Sequence, residues 1–310
     1  MTIRKLSNAS AIGSLAFHRT LLQDEVRTGS YRDAINAAVR PNDVVVDLGC
    51  GSGILSFFAC RAGAKRVYAI DEMPVIELAR ELAYDNGFGD RIVFVNRSSY
   101  DVVIEEPVDV IVTETMGNNG FDEQIARAVA HAQRSWLRDG GTIVPRLVAM
   151  YATPVEQPKV DGDAAFWNSK PFDVEMSRLR THAVNSFYPL TFEPTALLAN
   201  PSALITLNLG DDAPSLRGGA DVTITRDGTL HGIAAWFRAE LIDGITITNA
   251  PPNACVSWKQ SFFPIAQPMS VRRGDVIRIE VQTFDGIEWR WRAGDFEQST
   301  LYGFPFSRQL

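Results

Sequence analysis

Cysteine is scarce in this chain of 310 residues: Cys50, Cys60 and Cys255 are the three present. An odd number argues against a disulfide framework and points to a reducing cytoplasm. Their spacing fits no metal cluster, so no metal is expected. Long apolar runs are also lacking. None reaches roughly 18 residues, and the opening MTIRKLSNAS has no apolar signal core, so no membrane role is expected. Positive charge is in deficit, with 30 Lys and Arg against 37 Asp and Glu and a net charge of -7. That balance argues against a nucleic-acid partner bound by phosphate neutralisation. It is compatible with a cationic substrate and equally with a solvated acidic surface. Internal repeats and low-complexity tracts are missing too. What remains is the composition of a soluble enzyme, 45% hydrophobic and 22% charged, long enough for two domains.

One further absence is informative. Residues Val44 to Ala59, VVVDLGCGSGILSFFA, read as a buried strand, a glycine loop and the start of a helix. Gly49, Gly51 and Gly53 alternate, but the third glycine of a G-x-G-x-x-G dinucleotide loop is missing. A second strand ends in Asp71, 20 residues after Gly51, where a carboxylate accepts from both ribose hydroxyls. With no pyrophosphate to seat, this nucleoside site favours S-adenosylmethionine (SAM).

Strands expected at 43–47, 66–70, 92–96, 108–113 and 141–150 alternate with helices near 53–62, 73–87 and 121–137. Residues 15–38 are expected to be helical. This pattern predicts an α/β fold, a Rossmann-like doubly wound parallel sheet with its ligand at the carboxyl ends of the strands. The pattern changes after about 152. A polar and aromatic stretch follows, and after Pro201 seven short strands with frequent turns suggest a β-barrel or sandwich.

The fourth strand runs into TETMGNNGFDE, placing Glu114 and Glu123 nine positions apart on one loop. Two carboxylates can fork a planar guanidinium, whose five donors pair bidentately. A guanidinium stays protonated near neutral pH, so its nitrogens are poor nucleophiles. Negative charge opposite one nitrogen leaves another with more lone-pair character. A plain helix-capping role for Glu123 is the alternative.

Five ordered motifs resemble the protein arginine methyltransferase family over nearly the full length. They are HRTLLQDEVRTGSYRDAI, VVVDLGCGSGILSFFACRAGAKRVYAIDE, TETMGNNGFDE, LRDGGTIVP and SWKQSFF. The resemblance implies lid helices in 1–40, a SAM domain in 41–152 and a β-barrel domain in 153–310. It also implies a helical dimerisation arm at about 160–195, and hence a homodimer. It makes Asp47, Gly49 and Gly51 part of the SAM pocket, Asp71 the ribose acid and Arg27 the partner of the SAM carboxylate. Ser98 and Ser99 fall at the adenine edge. Glu114 and Glu123 become the substrate glutamates. Met116 lines the substrate channel, and Trp258 stands beside the guanidinium or packs in the barrel.

Departures from the family pattern are expected to matter. The loop motif Thr-His-Trp is Val256-Ser257-Trp258 here, so the histidine that pairs with the acid matched by Asp24 is absent. His18 of the lid is a substitute or simply structural. The aromatic signature before the lid is replaced by SNASAIGSLAF, and Asn118-Asn119-Gly120 replaces bulky residues. These changes leave the acceptor open between arginine in a protein and free arginine or a related guanidino metabolite. A non-guanidino acceptor and a non-catalytic SAM-binding subunit are the rival readings.

Overall fold

The computed structural model describes residues 14–302 except 212, 214 and 285. The first part of the expected 1–40 lid lies outside the described residues.

The stretch expected to be helical over 15–38 is so, as two helices. Helix α1 (Leu15–Gln23) stops at Asp24, and α2 (Glu25–Ala38) starts there. The Asp24 carboxylate accepts from the Arg27 amide at 2.9 Å, capping α2 and breaking the continuity that periodicity suggested.

The chain then alternates β1 (Val44–Leu48), α3 (Ile54–Ala62), β2 (Arg66–Ile70), α4 (Val75–Asp85) and β3 (Ile92–Val95). It continues through β4 (Val108–Thr113), α5 (Ile125–Trp136) and β5 (Leu137–Val144). The five strands form a parallel sheet in the order β3-β2-β1-β4-β5. The central strand VVVDL is buried at every position, as helices on both faces require. The strand order reverses between β1 and β4, so the loops after β1, β2 and β4 open onto one crevice.

The strand expected at 141–150 is also two. Pro145 breaks it, and β6 (Leu147–Val155) leaves the parallel sheet to pair with β10 (Gly228–Ile242). The change of sheet therefore falls before the expected boundary at 152. The remaining strands are β7 (Tyr188–Leu190), β8 (Ser202–Asn208), β9 (Ser215–Thr223), β11 (Ile245–Thr248), β12 (Gln260–Val271), β13 (Val276–Phe284), β14 (Glu288–Ala293) and β15 (Phe296–Ser299). One sheet runs β7-β12-β10-β6-β8, with β11 on β10; the other runs β15-β14-β13-β9. Phe263, Trp289 and Trp291 fill the space between them, and the Trp291 indole donates to the Pro264 carbonyl at 2.6 Å. A β-carbon at Gly218 of β9 would fall 1.5 Å from the Leu204 carbonyl of β8, so glycine lets the two sheets close there into a barrel. Between β6 and β7 lie α6 (Pro158–Ala165) and α7 (Arg178–Val184), where Phe166 and Phe172 are exposed.

Candidate active site

A cavity of about 450 Å³ lies at the crevice, walled by α1, the glycine loop, the ends of β2 and β4, and the segment before β12. One end is built by backbone geometry. Gly49 and Gly51 have positive φ, and a β-carbon on Gly51 would meet the His18 ring at 2.8 Å. Only glycine gives a ligand this approach. Asp71 lines the same end, and its two carboxylate oxygens accept the Gly51 amide at 2.8 Å and the Met73 amide at 2.7 Å. The acid is thus pinned beside the open glycine loop, at the cavity wall. Ser99 also lines the cavity, whereas Ser98 does not. Asp47 lies behind the loop, wholly buried, and accepts from the Ser56 hydroxyl at 2.6 Å. Burial pushes its carboxyl up to about 7, against the Ser56 bond. It shapes the loop and does not reach the cavity.

Asp71→Ala removes the acceptor and frees two amides. S-adenosylhomocysteine affinity is expected to fall by about 1–3 kcal/mol. Calorimetry giving an unchanged affinity would remove Asp71 from the ribose site.

The other end holds the glutamates. Arg27 of α2 is nine-tenths buried and directs both Nε and Nη2 at Oε2 of Glu114, with Nε at 2.9 Å. Its guanidinium carbon lies 5.7 Å from the centre of the Trp258 ring. Burial pushes the Glu114 carboxyl up, and Arg27 opposes that push. Glu123 faces the cavity on the same loop. Enclosure by protein, then the charges of Glu114 and Asp122, push its carboxyl up to about 8. Its side chain is exposed at the cavity, so solvent there weakens the push and a ligand that fills the cavity restores it. Asp122 braces the loop from inside, accepting the Asn118 and Asn119 amides at 3.3 Å.

Asp24 and Ser257 close the roof. One Asp24 oxygen accepts both the Ser257 amide at 2.9 Å and its hydroxyl at 2.7 Å. The lid acid thus keeps a partner in the loop although the histidine is absent. Trp258 is buried and packs edge-on against Phe237 at 4.9 Å, and it also lines the cavity.

Besides Ser98, two placements differ from expectation. Met116 is wholly buried in the core and does not line the cavity, because the chain turns inward after Thr115. His18 lies against Gly51 and beside Asp71, at the cofactor end and not with the glutamates. Sequence reasoning missed Leu21, which lines the cavity from α1.

Comparison with known proteins decides the family. A model of the arginine methyltransferase oligomerization subdomain matches residues 147–297. A model of the ribosomal protein L11 methyltransferase (PrmA) matches residues 31–144. The chain is 30% identical over 297 residues to human protein arginine N-methyltransferase 2, covering 90% of this chain and 68% of that protein. The chain belongs to the protein arginine methyltransferase family.

A second relative, protein arginine N-methyltransferase 1 of Dictyostelium discoideum, is 28% identical over 84% of this chain and 79% of its own. The chain spans 63% of the mouse protein arginine N-methyltransferase 2. Among solved structures, the Trypanosoma brucei PRMT1 enzyme-prozyme heterotetrameric complex with AdoHcy superposes with a TM-score of 0.82 at 22% identity, covering 93% of this chain and 98% of that one. Arabidopsis thaliana protein arginine methyltransferase 10 gives 0.79 at 21%, covering 94% and 99%. These likenesses carry the fold. As an arginine methyltransferase the protein uses SAM as methyl donor and acts on the guanidino group. No helix among the described residues is long and apolar enough to cross a membrane.

Proposed function

We propose that Glu114 and Glu123 seat the acceptor guanidinium against Trp258, with Arg27 holding Glu114 in place. The observation that carries this reading is the pair of carboxylates on one loop, facing a cavity that a tryptophan and an arginine close from the other side. SAM supplies an electrophilic methyl group. Holding the acceptor nitrogen near attack distance contributes on the order of 7–11 kcal/mol. Both Arg27 nitrogens converge on Oε2, and no hydrogen bond from a described residue engages Oε1 of Glu114, which is left for the acceptor. Ionised Glu123 completes the fork. Proton loss follows methyl transfer, and Glu123, with its raised affinity for a proton, takes it. Ser257 holds Asp24 and moves no proton, so Ser257→Ala is expected to slow turnover only mildly.

The acceptor is arginine in a protein or a free guanidino compound. Asn118 in place of a bulky residue widens and polarises the mouth and favours the small acceptor. Product mass spectrometry after incubation with SAM and either free arginine or an Arg-rich peptide separates the two. Absence of a methylated guanidine from both would overturn the reading.

The pH dependence has a definite sign. Glu123 titrates between its ordinary 4.5 and about 8, above its unfolded value. The stability it contributes is full below pH 4.5 and is lost as pH rises through the folded value. A cationic acceptor needs Glu123 ionised. Acceptor affinity is therefore expected to rise from pH 6 towards pH 8, while ligand-free wild type loses thermal stability relative to Glu123→Gln. Flat profiles in both measurements count against Glu123 as the second carboxylate.

The protein is also proposed to be a homodimer through Phe166, Trp167, Phe172 and Met176, the arm between β6 and β7. Phe166 is 52% and Phe172 99% exposed, and exposed aromatic rings of this kind suit an interface. Light scattering at micromolar concentration is expected to give the dimer mass, and Phe172→Ser to weaken it; a monomer for wild type removes the claim. The three cysteines are buried and unpaired, which fits a reducing cytoplasm.

A further inference from the structure

Asn249 stands just after β11, outside the cavity and wholly buried. Its side-chain oxygen accepts the Phe237 amide at 2.9 Å. Its side-chain nitrogen donates to the Asn118 carbonyl at 2.7 Å and to the Lys259 carbonyl at 2.6 Å. Those carbonyls belong to opposite walls of the acceptor seat. Asn118 lies between Glu114 and Glu123, and Lys259 follows Trp258. An amide has two N–H protons, and here one goes to each wall. The walls also meet directly, since the Lys259 amide donates to the Asn118 side-chain oxygen at 2.9 Å. Gln260 donates to the Asn249 carbonyl and Asn253 to the Trp258 carbonyl, so the whole Trp258 segment is held at both ends. Phe237, which anchors Asn249 through its amide, is also the ring that backs Trp258.

We infer that Asn249 is a positioning residue for methyl transfer: its amide fixes the distance between the glutamate loop and Trp258, and so the width of the guanidinium seat. The inference rests on the guanidinium reading of that seat. Asparagine alone has the chemistry in this space. Aspartate would present oxygen to two carbonyls. Serine has one donor for two acceptors, and leucine would leave three buried backbone groups unpaired. A displacement of about 1 Å at a reacting centre can cost about 100-fold in rate.

The test uses the full-length protein with S-adenosylhomocysteine or SAM bound, as wild type, Asn249→Asp and Asn249→Ala. Calorimetric stoichiometry with S-adenosylhomocysteine counts folded cofactor sites. Turnover on the methylated acceptor gives kcat and KM, and hydrogen exchange reads the amides of 115–124 and 250–260. Both variants are expected to keep one cofactor site per chain with unchanged affinity. Their kcat should fall by up to about 100-fold with a several-fold higher acceptor KM, and exchange should quicken in both segments together. Loss of activity matched by loss of cofactor sites would mean lost fold, and would overturn the inference. So would kcat and KM within twofold of wild type, or exchange unchanged in either segment. If wild type methylates no guanidine, the functional reading fails, and the exchange result still decides whether Asn249 ties the two walls.

Discussion

Glu123→Gln is expected to cut turnover on the arginine acceptor by about 100- to 1000-fold while leaving S-adenosylhomocysteine affinity within twofold. The substitution keeps the shape of the side chain and removes its charge. Glu123 lines the cavity together with Glu114 and Trp258. A charge aimed at a cation in an enclosed site is worth far more than the same charge in water. The neutral amide can still accept from a guanidinium N–H, so KM should rise less than kcat falls. Isothermal titration and steady-state turnover together check this. Near wild-type turnover would move the chemistry elsewhere in the cavity and bring the non-guanidino acceptor forward.

Arg27→Ala is the second large effect, and it reaches stability as well as binding. The Arg27 and Glu114 side chains are only 6% and 9% exposed. Removing the cation strands a carboxylate beside Asp24, with a cost of about 3–5 kcal/mol. Cofactor binding should weaken too, since Arg27 lines the cavity between the glycine loop and the glutamates. Glu114→Gln in the same chain relieves the stranded charge, so the double variant is expected to recover part of the lost stability. Urea denaturation of the four proteins gives the coupling directly. Costs that simply add, with coupling below about 0.5 kcal/mol, would show that the two side chains do not act as a pair.

The nucleotide half was legible because its central strands β1 and β4 are buried on both faces and read as apolar runs between turns. Asp71 and the glycines were legible because a local motif, strand then loop then helix, carries its own geometry. Boundaries failed where a side chain overrode periodicity. Asp24 folds back to cap α2 and divides one apolar pattern into two helices. The run GTIVPRLVAM looks continuous, yet Pro145 sends its halves into different sheets. Met116 failed because neighbours on a loop need not share a face, and it turns into the core while Glu114 and Thr115 line the cavity. Contacts across long separations left no trace in composition or spacing. Arg27 and Glu114 are 87 residues apart, and Asn249 and Asn118 are 131 apart. Arg27, Glu114 and Asn118 were each singled out in the sequence, but nothing there paired Arg27 with Glu114 or pointed to Asn249; only the folded topology brings them together.

The join between β5 and β6 bears on how this protein can be cut and recombined. Two residues, Pro145 and Arg146, connect the parallel sheet to the barrel. The Arg146 amide donates to the Glu240 carbonyl at 2.9 Å, and its own carbonyl accepts the Leu209 amide at 2.8 Å. Its guanidinium reaches Glu240 at 3.0 Å and also pairs with Asp243. There is no slack tether here for a protease to find. A chimera spliced at 152 would divide β6 in mid-strand and leave Leu147 to Tyr151 as an unpaired flap on the donor half. Splicing between Val144 and Leu147 keeps both sheets whole, but only if the recipient barrel supplies its own acceptors for the residue that replaces Arg146.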